Sequence, residues 1–128
     1  MNSANNPLRI MIVEDRTVAA ISLECFFEDL GHVVTCVVAT QHQAEGVLKT
    51  ASDSVDLVVY DALLVGLPSL RLADRLKQLD ARAIVTSNLS ETDVRAMGFE
   101  DEYLPQPVAG AKVDWSLDPN LLAVSLAA

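Results

Sequence analysis

Apolar, β-branched runs recur along this chain, and helical spacing rather than a tight turn follows each of them. Leu8-Arg9-Ile10-Met11-Ile12-Val13, His32 to Val38, Val55 to Tyr60 and Ala83 to Thr86 read as buried strands. Strands separated by helices cannot close as hairpins. They pair in parallel through crossovers, and the crossing helices cover the sheet.

The intervening segments carry their own punctuation. Val18, Ile21, Ser22, Cys25 and Asp29 follow helical spacing, and Gly31 stops that helix after Leu30. Thr40 to about Ser52 reads as a second helix with Ala44, Val47 and Leu48 inward. A loop with Gly66 and Pro68 precedes a third, carrying Leu72, Ala73, Leu76 and Leu79 on one face. Glu91 to Met97 is a short fourth helix ended by Gly98, and Glu102-Tyr103-Leu104 a brief fifth strand. Pro105 removes a ladder donor there, which points to a sheet edge. Val108 to Trp115 lacks any period and reads as a loop. Asp118-Pro119 resembles an N-cap with proline at the first helical position, predicting a last helix over about 118–127. The expectation is one α/β domain spanning residues 1–128: a flavodoxin-like (βα)5 three-layer sandwich with a core over about 8–108. Its five-stranded parallel sheet runs in order 2-1-3-4-5.

Two of the predicted strands end in acid. The first delivers Glu14-Asp15 and the third delivers Asp61. Parallel strands align their C-terminal ends, where open α/β sheets hold their ligands, so the three carboxylates are expected to converge at one edge. Carboxylates brought together repel unless a cation joins them, and all-oxygen ligation suits Mg²⁺. Glu14-Asp15 also suits the positive end of the first helix, and Asp61 alone could be an ordinary loop residue.

Bulk properties narrow the function. With 51% apolar residues among 128, there is material for a real core. A formal net charge of −9, with only nine scattered Lys and Arg, argues against nucleic acid as partner. No apolar stretch has the length of a membrane span, and the polar start Met1-Asn2-Ser3-Ala4-Asn5-Asn6 does not read as a secretion signal, so a cytoplasmic location is expected. Cys25 and Cys36, among apolar neighbours, are expected to be buried free thiols.

With these elements in order, the chain resembles the response regulator receiver family over about Leu8 to Val108. The acidic pair in Ile12-Val13-Glu14-Asp15, the acid ending Asp56-Leu57-Val58-Val59-Tyr60-Asp61, a hydroxyl after the fourth strand and Tyr103-Leu104-Pro105-Gln106-Pro107 carry the resemblance. It implies two-component signalling rather than enzymatic turnover. Asp61 would accept a phosphoryl group from the phosphohistidine of a histidine kinase or histidine phosphotransfer protein. Mg²⁺ (or Mn²⁺) would be held by Asp15, Asp61 and the carbonyl of Leu63, with Glu14 acting through water. Ser87 matches the switch hydroxyl, with its neighbour Thr86 as the alternative, since strand neighbours face opposite ways. Tyr103 matches the aromatic that moves with the switch loop; it also reads as an edge-strand tyrosine with a wet hydroxyl. The resemblance further implies a cis Gln106-Pro107 bond. A homodimer through the face of the fourth helix, fifth strand and fifth helix is another implied partner.

Three departures stand out: Gln106, Asn88, and a very short fourth helix with an irregular stretch before the last one, on the face through which receivers signal. Gln106 occupies the place where receivers carry a lysine, so an amide replaces a charge-assisted contact to the phosphoryl group. Charge-assisted hydrogen bonds contribute about 1.5–3 kcal/mol and neutral ones about 0.5–1.5. Asn88 replaces a small residue beside the phosphate. Leu63 and Leu89, each two residues beyond a site residue, would hinder an attacking water, which predicts slow loss of a phosphoryl group and faster loss in Leu63→Asn. Gln106 also marks the alternative reading, a pseudo-receiver that binds proteins without phosphorylation. An aspartyl phosphatase wants a second carboxylate at Leu63's place, and a dinucleotide enzyme wants glycines where Glu14-Asp15-Arg16 stands.

Overall fold

The computed structural model describes residues 6–108 together with the strands at 111–114 and 123–126. Strand β1 (Arg9–Val13) leads into α1 (Thr17–Asp29), β2 (Val33–Val38) into α2 (Gln41–Ala51), and β3 (Leu57–Asp61) into a small hairpin, β4 (Leu63–Leu64) and β5 (Leu67–Pro68). Then come α3 (Leu70–Gln78), β6 (Ala83–Ser87), α4 (Glu91–Met97) and β7 (Glu102–Pro105). Five strands form one parallel sheet ordered β2-β1-β3-β6-β7, which is 2-1-3-4-5 when only its members are counted. Proline-bearing β7 lies at the edge, where its missing donor leaves no gap in the ladder.

Alternation along the strands builds a core on each face. Ile10, Ile12, Leu57, Val59, Ile84 and Leu104 pack against Leu23 and Phe27 of α1. Met11, Val13, Val58, Tyr60 and Val85 pack against Ala44 and Leu48 of α2, Leu72 and Leu76 of α3, and Val94 of α4. Local chemistry ends the helices where expected. Thr40 and Ser90 accept backbone N–H groups at the starts of α2 and α4, and Gly98 closes α4 at a φ of 111°. The β4–β5 turn sets Val65 and Gly66 at positive φ (51° and 74°), the signature of a hairpin whose twist matches its strands.

Three expectations are corrected. Helix α1 buries Ala20, Leu23 and Phe27, while Val18 (78% exposed), Ile21 and Cys25 face outward. The helix carries apolar residues on two sides, Ala20, Leu23 and Phe27 on one and Val18, Ile21 and Cys25 on the other, so spacing alone could not choose its inner face. Cys36 is only half-buried, because β2 is an edge strand. Finally, Ala111–Asp114 and Ala123–Leu126 are antiparallel strands β8 and β9, where a loop and the last helix over 118–127 were expected. Their pairing is a non-local contact, invisible to local periodicity. Trp115 and Asp118-Pro119 lie outside the described residues, and among those α4 is the last helix, so the described chain supplies no fifth helix for the expected dimer face.

Candidate functional site

The C-terminal ends of β1, β3, β6 and β7 converge on Asp61. Its side chain is buried at the end of β3, and Glu14, 3% exposed, lies beside it at the end of β1. The backbone N–H of Leu63 donates to Asp61 Oδ1 at 2.9 Å, so the start of the hairpin fixes one carboxylate oxygen. The buried hydroxyl of Ser69 donates to the Asp61 carbonyl at 2.6 Å, tying the same turn to the start of α3.

The cation of the cluster is Arg16, a residue the sequence reading passed over. Its Nη2 donates to Asp61 Oδ2 at 3.1 Å, lies 3.5 Å from Glu14 Oε1, and donates to Gln106 Oε1. Gln106 completes a ring: its Nε2 donates to Glu14 Oε1 at 3.0 Å. Glu14 also accepts the backbone N–H of Arg16 at 3.2 Å, which gives it the helix-start role as well as a place in the cluster. The visible signal was an arginine directly after the acidic pair. At the N-cap of α1 its extended backbone (φ −94°, ψ 119°) is compatible with a side chain folding back over the sheet edge.

Charge is unevenly served here. Burial, and then a hydrogen bond with Glu14, push the Asp61 carboxyl up to about 7 against the opposing pull of Leu63 N–H and Arg16. Burial works against Glu14 too, but hydrogen bonds with Asp61, Gln106 and Arg16 outweigh it and hold that carboxyl below its usual range. One cation shared by two buried carboxylates leaves Asp61 as the member that takes the proton.

The expected trio of carboxylates is a pair. Asp15 is exposed, and among the described residues no three acidic, histidine or cysteine side chains converge to hold a metal. Glu14 and Asp61 offer the hard oxygen donors that Mg²⁺ takes, and Asp15 must swing inward to add a third. The residues therefore fit a divalent ion in type, with Arg16 standing in its place.

Register separates the two candidate hydroxyls. Thr86 is the Cα partner of Asp61 and shares the α1-facing side with Ile84. Its hydroxyl is fully buried and has no hydrogen-bond partner among the described residues. Ser87, paired with Pro105, points to the other face with Val85, and its hydroxyl accepts the N–H of Leu89 at 3.0 Å. Thr86, not Ser87, shares the face of Asp61. Tyr103 on β7 is half-buried and its hydroxyl donates to the carbonyl of Leu89, joining the edge strand to the loop after β6. The Gln106-Pro107 bond is cis, as the resemblance implied.

No family model and no curated relative matches the sequence. Solved structures do. A PhyR stress response regulator matches with TM-score 0.68 and 25% identity over 81% of this chain and 41% of its own. The receiver domain of a modulated diguanylate cyclase from Desulfovibrio desulfuricans matches with TM-score 0.66 and 28% identity over 80% and 84%. The chain has the fold of response regulator receiver domains. A CheY from Borrelia burgdorferi, solved in a CheX-CheY-BeF3-Mg²⁺ complex, shares the fold with TM-score 0.66 at 21% identity over 79% of each chain. The chain spans about two fifths of the PhyR regulator it matches. The matched structures are themselves response regulators and signal receiver domains. Among the described residues no helix is long and apolar enough to cross a membrane.

Proposed function

We propose that this receiver accepts a phosphoryl group on Asp61 from the phosphohistidine of a kinase or phosphotransfer protein and passes the signal on through protein contacts. The supporting observation is the arrangement around Asp61: one oxygen held by Leu63 N–H, the other facing Arg16, and the unpartnered hydroxyl of Thr86 alongside. Asp61 Oδ2 attacks phosphorus, the P–N bond breaks, and the imidazole leaves with the electron pair to take up a proton from solvent. Such transfers depend on positioning and on neutralising charge more than on covalent assistance. Bound Mg²⁺ would neutralise charge on the transferring group, with Asp15, Glu14, Asp61 and the Leu63 carbonyl as its ligands or water-bridged partners.

Thr86 is the switch hydroxyl in this reading, because a phosphoryl oxygen at Asp61 supplies the partner it lacks. Tyr103 follows through its bond to the same loop. Intact mass after incubation with a small phosphodonor, with and without Mg²⁺, tests the proposal. A Mg²⁺-dependent phosphoryl adduct that vanishes in Asp61→Asn is the expected result. A folded protein that never takes the adduct favours the second reading, a phosphorylation-independent binding module. The closed ring of Arg16, Glu14, Asp61 and Gln106 is the observation that supports it.

A further inference from the structure

We infer that Arg16 is the phosphoryl-binding cation of this receiver, relocated from the position of Gln106 to the start of α1, with Gln106 as its positioning residue. The inference rests on the phosphoacceptor reading of Asp61. An amide at 106 cannot neutralise an arriving oxyanion, yet it holds a guanidinium that can. Gln106 Oε1 accepts from Arg16 while its Nε2 is anchored on Glu14, so the amide orients the arginine toward Asp61 Oδ2.

Three features suit Arg16 to an incoming phosphoryl group. It touches Oδ2, the oxygen that Leu63 N–H leaves free to react. A single nitrogen, Nη2, makes all of its side-chain contacts among the described residues, so Nη1 and Nε remain as donors for new oxygens. The side chain is 47% exposed and borders a cleft of about 390 Å³ with Asn88, Gln106 and Pro107, so it has room to withdraw without leaving the site. A guanidinium on a mobile stem can hold the carboxylate before transfer and the phosphoryl oxygens after it.

The test is the affinity of the full chain for beryllium trifluoride with Mg²⁺, together with its affinity for Mg²⁺ alone, both by calorimetry. Arg16→Ala is expected to weaken beryllium trifluoride binding about tenfold or more, the scale of a lost charge-assisted contact. The same variant should bind Mg²⁺ at least as tightly as the wild type, because a competing cation has left Glu14 and Asp61. Adding Gln106→Lys to Arg16→Ala should restore beryllium trifluoride affinity, a rescue that a merely structural arginine would not permit. Unchanged or tighter binding in Arg16→Ala overturns the inference and makes Arg16 a plug; failure of the rescue overturns it as well. A wild type that does not bind while Gln106→Lys does refutes Arg16 as the cation but leaves the receiver reading standing. If neither binds, the receiver reading fails and takes the inference with it.

Discussion

Two arginine–aspartate pairs sit at opposite ends of the same sheet, and their surroundings differ. At the N-terminal edge, Arg9 and Asp56 meet one to one: Nε and Nη2 donate to the two carboxylate oxygens at 3.0 and 3.1 Å, and the Arg9 N–H adds a third bond at 2.8 Å. The pair is largely in water, and the side-chain hydrogen bond from Arg9 is the main reason Asp56 stays below the usual carboxylate range. At the C-terminal edge, Arg16 divides itself among Asp61, Glu14 and Gln106, with both carboxylates buried. The first pair is satisfied and has nothing left to bind. The second is short of positive charge, a configuration that costs stability and invites a cation or a phosphoryl group.

Breaking the crowded end should therefore help the fold and hurt the chemistry. Asp61→Asn should abolish the phosphoryl adduct outright and raise stability near neutral pH by about 1–3 kcal/mol, read as a higher urea midpoint. The pH dependence has a definite sign. Burial pushes the Asp61 carboxyl up to about 7 in the folded protein, against the 3.8 of an ordinary aspartate, so between those values the native state binds more protons than the unfolded one. Its contribution therefore falls as pH rises from about 4 to 7. Wild type should lose stability relative to Asp61→Asn between pH 5 and pH 8; parallel curves would show that the carboxyl is not strained.

Next in size are the two hydroxyls. Thr86→Val exchanges an unpartnered buried hydroxyl for a methyl and should stabilise the resting protein by about 1 kcal/mol while weakening beryllium trifluoride binding. Ser87→Ala removes the acceptor of Leu89 N–H and should cost about 0.5–1.5 kcal/mol with little effect on that binding. The reverse pattern in calorimetry and denaturant melts would return the switch role to Ser87. The smallest effect belongs to the balanced end: Arg9→Ala should leave the adduct intact and the thermal midpoint nearly unchanged, since exposed pairs contribute little. A large loss there would mean that the contrast between the two ends is false.

Much of this was legible in the sequence because it is local. Runs such as Ile10–Val13 and Leu57–Tyr60 announce buried strands, caps such as Thr40 and Ser90 announce helix starts, and acids at strand ends announce the edge where a parallel sheet binds. These features set the parallel five-stranded sheet and the placement of Glu14 and Asp61, while the resemblance to receivers marked Gln106 as the departure. What the sequence left open depends on distance through space. Which of two apolar stripes of α1 turns inward, whether Ala111–Asp114 and Ala123–Leu126 pair, and which of two adjacent hydroxyls shares the face of Asp61 follow from packing and register. Arg16 is the sharpest case. Its neighbours in sequence suggest only a helix start, but the fold brings Gln106, 90 residues away, to its guanidinium. Hydrogen-bond partners so distant in the chain are chosen by the closing of the sheet, so only the tertiary structure could reveal where the site keeps its positive charge.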